Sequence, residues 1–129
     1  MGHPNEELLR RGYEAFGSGD MATLNELLSD DIIWHVPGKS PVSGDYKGKD
    51  QVFQFFGQIV QMTGGSFKNE IHDLLANNEH GTVLVTTTAD REGKHLDDRQ
   101  VHVFHLKDGK TTEFWNHSGD QYALDEFWS

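Results

Sequence analysis

The hydrophobic period of this chain changes once, and that change constrains the fold more than any other feature. Up to the breaker Thr63-Gly64-Gly65 the apolar side chains recur at helical spacing, whereas from Ser66 onward the period falls to two. A helix buries one stripe of its surface, while a strand buries alternate residues. Helices followed by a run of strands predict an α+β protein.

The sequence predicts three helices and five strands. The helices are expected at residues 6–17, 21–28 and 50–62, and the strands at 32–36, 67–76, 82–90, 96–107 and 110–118. Consecutive strands joined by short turns are antiparallel. We therefore expect one domain over residues 1–129, with three helices on the concave face of a curved, cone-shaped antiparallel sheet.

Two of the predicted strands carry apolar residues on both faces, in segments 83–89 and 101–106. One face would meet the helices, and the other would need a different cover. A second copy of the chain is the simplest cover, so the sequence predicts a homodimer formed through the outer face of the sheet.

Composition excludes several classes of function. The 21 acidic side chains outnumber the 11 basic ones and give a formal charge of -10, which disfavours nucleic acid as a partner. No stretch approaches the roughly 20 apolar residues of a membrane span, and the N-terminal residues do not resemble a secretory signal. The absence of cysteine excludes a thiol nucleophile and fits a reducing compartment. We therefore expect a cytoplasmic protein without membrane contact.

Three segments carry a resemblance to a known superfamily. They are Gly19-Asp20 before a short helix, the strand that ends Trp34-His35-Val36-Pro37-Gly38, and the strand pair running from Val101 to Asn116. The order of these elements and the Gly, Asp and Pro residues that separate them resemble the nuclear transport factor 2-like superfamily, which includes ketosteroid isomerases and SnoaL-like polyketide cyclases. This resemblance implies a cystatin-like α+β cone around a cavity for a hydrophobic small molecule that bears a carbonyl or hydroxyl group.

The resemblance also suggests catalytic positions. His35 stands where ketosteroid isomerases carry a catalytic aspartate at the end of the first strand. His102 and Asn116 stand where SnoaL-like cyclases carry a histidine and an aspartate, but the amide of Asn116 cannot accept and return a proton. Tyr13 is offset by one position from the tyrosine of the isomerases, and we still expect it at the cavity.

Whether Asn116 shares a face with His102 depends on the hairpin at Asp108-Gly109. A two-residue turn pairs His102 with Trp115. A three-residue loop with a glycine bulge instead places His102 and Asn116 on one face, together with Phe104 and Phe114. We choose the second arrangement because it agrees with the pattern of the superfamily.

The candidate site residues each have a structural alternative. His35 is predicted as a general base at the cavity mouth, since an imidazole titrates near neutral pH, but a strand-end histidine can also simply bond a backbone carbonyl. His102 on a central strand needs a hydrogen-bonding partner, and Asn116 either holds a substrate oxygen or satisfies His102. The expected ligand contacts can equally be core residues; they are Tyr13, Trp34, Phe56, Phe104 and Phe114.

The remaining titratable residues give no further site. The spacing of the histidines lacks a metal-binding pattern, so neither a metal nor another cofactor is expected. Asp97 and Asp98 beside Arg99 are interpreted as charged residues of an edge strand, which prevent that strand from pairing with another chain.

Three functions remain open from the sequence. The first is an isomerase, cyclase or hydratase that uses histidine acid/base chemistry on a hydrophobic substrate. The second is a binding module for a hydrophobic small molecule without turnover, and the third is a protein-interaction dimer with a vestigial cavity. A polar, histidine-lined cavity would favour the first.

Overall fold

A curved sheet of six strands forms the frame of the protein in a computed structural model that describes residues 3–129. The strands are β1 (Leu28–Val36), β2 (Gly44–Lys47), β3 (Lys68–Ala76), β4 (His80–Arg91), β5 (Lys94–Lys107) and β6 (Lys110–Ser118). Their spatial order is β2-β1-β6-β5-β4-β3, so β2 and β3 form the edges. The expected α+β class is confirmed.

One strand pair departs from the antiparallel expectation. Strands β3 to β6 form the predicted meander, but β1 pairs with β6 in parallel. The rule that short turns join antiparallel strands does not apply to this pair, because β1 and β6 are far apart in the chain. The short strand β2 was expected as loop; its four residues are too few to give a periodic pattern.

Four helices pack on the sheet: α1 (Pro4–Ser18), α2 (Met21–Leu27), α3 (Lys49–Met62) and α4 (Gln121–Trp128). The first three correspond to the predicted helices. The fourth lies in the closing segment, beyond residue 118, where the sequence predicted no regular element. Its Leu124, Phe127 and Trp128 are buried in the core of their own chain.

Burial alternates along the two central strands β4 and β5. On β5 the even-numbered residues His102, Phe104 and Leu106 are buried against the helices, while Val101 and Val103 lie half-exposed on the outer face. Two apolar clusters fill the space under the helices, and Trp34 packs against both. The sheet therefore has a covered inner face and an outer face that the monomer leaves open to solvent.

Candidate functional site

A cavity of about 140 Å³ lies between the helices and the inner face of the sheet. This volume far exceeds the roughly 10–15 Å³ that one water molecule occupies on the same kind of measure. Most of its wall is apolar and comes from α1, α2, α3, α4 and β1, while β5 and β6 supply polar groups at one end. The polar residues of this end are Tyr13, Gln100, His102 and Asn116.

The hairpin between β5 and β6 places His102 and Asn116 side by side. Asp108 and Gly109 both have positive φ and form a two-residue turn that pairs Lys107 with Lys110. An extra residue, Thr112, then bulges out of β6, and beyond it His102 pairs with Asn116. The predicted shared face is present, but a bulge inside β6 produces it instead of a three-residue loop.

Tyr13 and His102 are in direct polar contact at this end of the cavity. The Tyr13 hydroxyl hydrogen-bonds the imidazole Nδ1, and the two rings stack with centroids 5.9 Å apart. Burial, with a smaller contribution from nearby His117, lowers the pKa of His102 to about 3. Burial also raises the pKa of Tyr13 well above its ordinary value. Both groups are therefore neutral at physiological pH.

A chain of buried polar groups continues behind His102. The imidazole Nε2 lies 2.9 Å from Gln100 Oε1, and Gln100 Nε2 donates to Asp98 Oδ2 at 3.0 Å. The hydroxyl of Ser118 also donates to Asp98 Oδ2, at 2.6 Å. Asp98 is only 6% exposed, so its interpretation as a strand-edge charge was wrong: β5 is a central strand, and Asp98 points inward.

Asn116 has an unsatisfied acceptor. Its Oδ1 is buried and has no hydrogen-bond partner in the structure. A buried polar atom without a partner costs roughly 1–3 kcal/mol, so this atom is a natural contact for a bound molecule. Asn116 lies in the cavity wall, opposite His102 on the neighbouring strand.

The aromatic residues predicted as ligand contacts all lie in the cavity wall. Trp34 stacks on Phe114 with centroids 3.8 Å apart and meets the edge of Phe56 at 5.0 Å. Phe104 packs edge-on against Tyr13. These rings belong to the core and the cavity at once, so the two sequence interpretations are not exclusive.

His35 does not lie at the cavity mouth as expected. Trp34 takes the inward position on β1, so the next side chain points to the outer face. There the His35 ring stacks on Trp115 and bonds Asp45 at 2.7 Å and Glu113 at 2.6 Å. Partial burial alone would lower the pKa of His35, but the two carboxylates outweigh it and raise the pKa.

Sequence reasoning missed two buried side chains of the site and the helical form of the segment that closes the cavity. Gln100 and Asp98 belong to the chain behind His102, and their alternation with His102 at two-residue spacing on one strand was the available signal. Helix α4 closes the cavity with Leu124 and Trp128. Arg99, Asp120 and Tyr122 do not line the cavity.

Within residues 3–129 no group of three or more His, Cys, Asp or Glu side chains is arranged to hold a metal ion. Across the same residues, no helix has the length and apolar character needed to cross a membrane.

Comparison with known proteins gives the family and the fold. A SnoaL-like domain model matches residues 9–114. Uncharacterised proteins of Mycobacterium tuberculosis and Mycobacterium bovis are 30% identical over 124 residues, which cover 95% of each chain. Bal32a, from a soil-derived mobile gene cassette, is 42% identical with a TM-score of 0.94, and the match covers 97% of this chain and 96% of Bal32a.

Two other solved structures share the fold at lower identity. A Xanthomonas campestris protein of unknown function with a cystatin-like fold is 28% identical, with a TM-score of 0.89 over 95% of this chain and 96% of its own. A candidate SnoaL-like polyketide cyclase from Jannaschia sp. CCS1 is 16% identical, with a TM-score of 0.81 over 100% of this chain and 96% of its own. These two likenesses show the fold, and the domain match over residues 9–114 shows that the chain belongs to the SnoaL-like family.

Proposed function

We propose that this protein binds a hydrophobic small molecule bearing a hydroxyl or carbonyl group and catalyses a proton transfer of the isomerase or cyclase type on it. The observation that carries the proposal is the Tyr13–His102 pair at the polar end of a mostly apolar cavity. Such an arrangement, with few polar groups in an apolar pocket, is typical of small-molecule sites.

The pair supplies an acid/base function without a charged resting state. A neutral imidazole accepts a proton, and Tyr13 is positioned to pass one between the ligand and His102 Nδ1. The unsatisfied Oδ1 of Asn116 lies on the neighbouring strand and would orient the ligand. His102 and Asn116 are two of the three catalytic positions that the resemblance suggested; Tyr13 joins them, and His35 lies outside the cavity.

A second function has its own support. The lowered pKa of His102 makes it a weak base at neutral pH, which favours binding without turnover. The family relationship does not decide between the two, because one fold hosts several functions. The Jannaschia protein is described as a candidate polyketide cyclase, and it shares only the fold with this chain.

The test uses 1,3-dihydroxynaphthalene, whose enol and keto forms interconvert by proton transfer to carbon. Isothermal titration would measure binding, and proton NMR in D₂O would measure deuterium uptake at the ring carbon between the two hydroxyl-bearing carbons. We expect binding and accelerated uptake. His102→Gln should slow the protein-dependent uptake by roughly 10²- to 10⁴-fold.

The matched control is His95→Gln, because His95 is exposed at the start of the same strand, away from the cavity. It should leave both binding and uptake unchanged. Binding without any acceleration would favour the non-catalytic module. Absence of binding to this compound and to related naphthols would refute the small-molecule function and favour a vestigial cavity.

A further inference from the structure

The hydrogen bonds behind His102 have a direction, and that direction restricts the ligand. We infer that Asp98 and Gln100 are positioning residues that hold the proton of His102 on Nε2, so that the cavity presents hydrogen-bond acceptors and selects ligands with a hydroxyl donor over ketones. This inference rests on the proposed small-molecule function and specifies the substrate class of the same site.

The direction starts at Asp98, because a carboxylate accepts hydrogen bonds and does not donate them. Two groups reach its Oδ2: Gln100 Nε2 at 3.0 Å and Ser118 Oγ at 2.6 Å. Ser118 Oγ also accepts the backbone N–H of Asp120 at 3.0 Å, which leaves its single proton for Asp98. Both contacts to Asp98 therefore run toward the carboxylate.

Asp98 in turn fixes the orientation of the Gln100 amide. If the amide were rotated by half a turn, its oxygen would lie 3.0 Å from the carboxylate oxygen, and two acceptors would repel each other. The amide NH₂ therefore points to Asp98, and the carbonyl Oε1 points to His102. Oε1 lies 2.9 Å from His102 Nε2, which must carry a proton to make this contact favourable.

A neutral imidazole with its proton on Nε2 has a bare Nδ1, which accepts. The Tyr13 hydroxyl must then donate its one proton to Nδ1. The doubly protonated imidazole would reverse this bond, but its burial keeps His102 neutral far below physiological pH. Tyr13 Oη consequently has only a lone pair left for a ligand.

The second polar group of the cavity has the same requirement. Asn116 Oδ1 is a buried acceptor without a donor. A ligand hydroxyl can donate its one proton to Tyr13 Oη or to Asn116 Oδ1, whereas a ketone oxygen has no proton to give to either atom. The ligand class that supplies such a proton is a hydrophobic molecule with a phenolic or enolic hydroxyl, and each hydroxyl completes one of the two acceptors.

The first experiment measures the proton position directly in the unliganded protein. Long-range ¹H–¹⁵N NMR correlations distinguish a histidine protonated on Nε2 from one protonated on Nδ1. We expect His102 to be protonated on Nε2 between about pH 6 and pH 8. Protonation on Nδ1 would overturn the inference, and this measurement needs neither a ligand nor a variant.

The second experiment compares three ligands of similar shape: 1-naphthol, 1-methoxynaphthalene and 1-tetralone. The methyl ether keeps the ring system and loses the donor, and the ketone offers an acceptor. We expect 1-naphthol to bind roughly 5- to 100-fold more tightly than either, although the ether is the more apolar compound. Equal or tighter binding of the ketone would overturn the inference and leave the small-molecule function intact. If none of the three binds, the proposed function fails, and the ligand preference fails with it.

A variant then tests the role of Asp98 specifically. Asp98→Asn keeps the shape but adds an NH₂ group, so the Gln100 amide is no longer held in one orientation. We expect a mixture of both neutral His102 tautomers in the NMR spectrum and a smaller preference for 1-naphthol. A folded variant with an unchanged tautomer and an unchanged preference would show that Asp98 does not position His102. His95→Gln is again the control and should match the wild type in both measurements.

Discussion

Because His102 is buried and neutral, the protein should lose stability at low pH. The size of this loss follows from the pKa of His102. In the unfolded chain His102 titrates near 6.5, whereas in the folded protein it titrates at about 3. Between these two values the unfolded state binds more protons, so the free energy of unfolding falls as the pH falls through this window. For this one residue the loss between about pH 7.5 and pH 5 amounts to roughly 2 kcal/mol.

Other groups titrate in the same range, so the measurement must be a difference between proteins. Urea unfolding at both pH values gives the pH-dependent change for the wild type and for His102→Gln. We expect the wild type to lose about 2 kcal/mol more than His102→Gln on going to pH 5. The exposed His95→Gln control should lose as much as the wild type. Equal losses in the wild type and in His102→Gln would refute the argument that burial keeps the imidazole neutral.

Three further predictions concern parts of the structure outside the His102 chain. The raised pKa of His35 gives stability that is present below about pH 6.5 and is lost as the pH rises through the folded pKa. Urea unfolding should therefore show that His35→Gln costs about 0.2–1 kcal/mol more stability at pH 6 than at pH 9. An equal cost at both pH values would contradict the ion pairs with Asp45 and Glu113. Leu124→Ala should lower the free energy of unfolding by roughly 2–5 kcal/mol, because the Leu124 side chain of α4 is buried over the cavity. A loss below about 0.5 kcal/mol would argue against packing of α4 on the core. If a second copy covers the outer face of the sheet, sedimentation should show a dimer that Val103→Lys dissociates, whereas a monomeric wild type would refute this mode of association.

The fold could be predicted where the chain follows one period for long enough. The helical stripe of α3 and the alternation along β4 and β5 fixed the type of these elements. The four residues of β2 are too short to show a period. The parallel pairing of β1 with β6 is a long-range contact, and nothing local in the sequence specifies it.

The site was predictable in part, and the limit was the direction of side chains. His102 was placed correctly because its strand is long and its alternation unbroken. Asp98 and Gln100 lie on the same face of that strand, yet the cluster of charges around Arg99 suggested an exposed edge. Burial of a charged residue depends on its partners, here Gln100 and Ser118, and their contacts depend on tertiary structure.

The two histidines show why side-chain direction decides between chemistry and structure in this protein. Because strand side chains alternate, a shift by one residue moves an imidazole from the cavity to the outer face. Trp34 takes the inward position on β1 and stacks on Phe114. His35 therefore points to the outer face, where it pairs with the carboxylates of Asp45 and Glu113. On the other side of the sheet, the one-residue bulge at Thr112 brings Asn116 opposite His102. If the ladder ran from the Asp108-Gly109 turn without a bulge, Trp115 would pair with His102, and the unsatisfied acceptor of Asn116 would leave the cavity. The polar end of the cavity therefore depends on the register that the bulge at Thr112 sets, although Thr112 itself does not line the cavity.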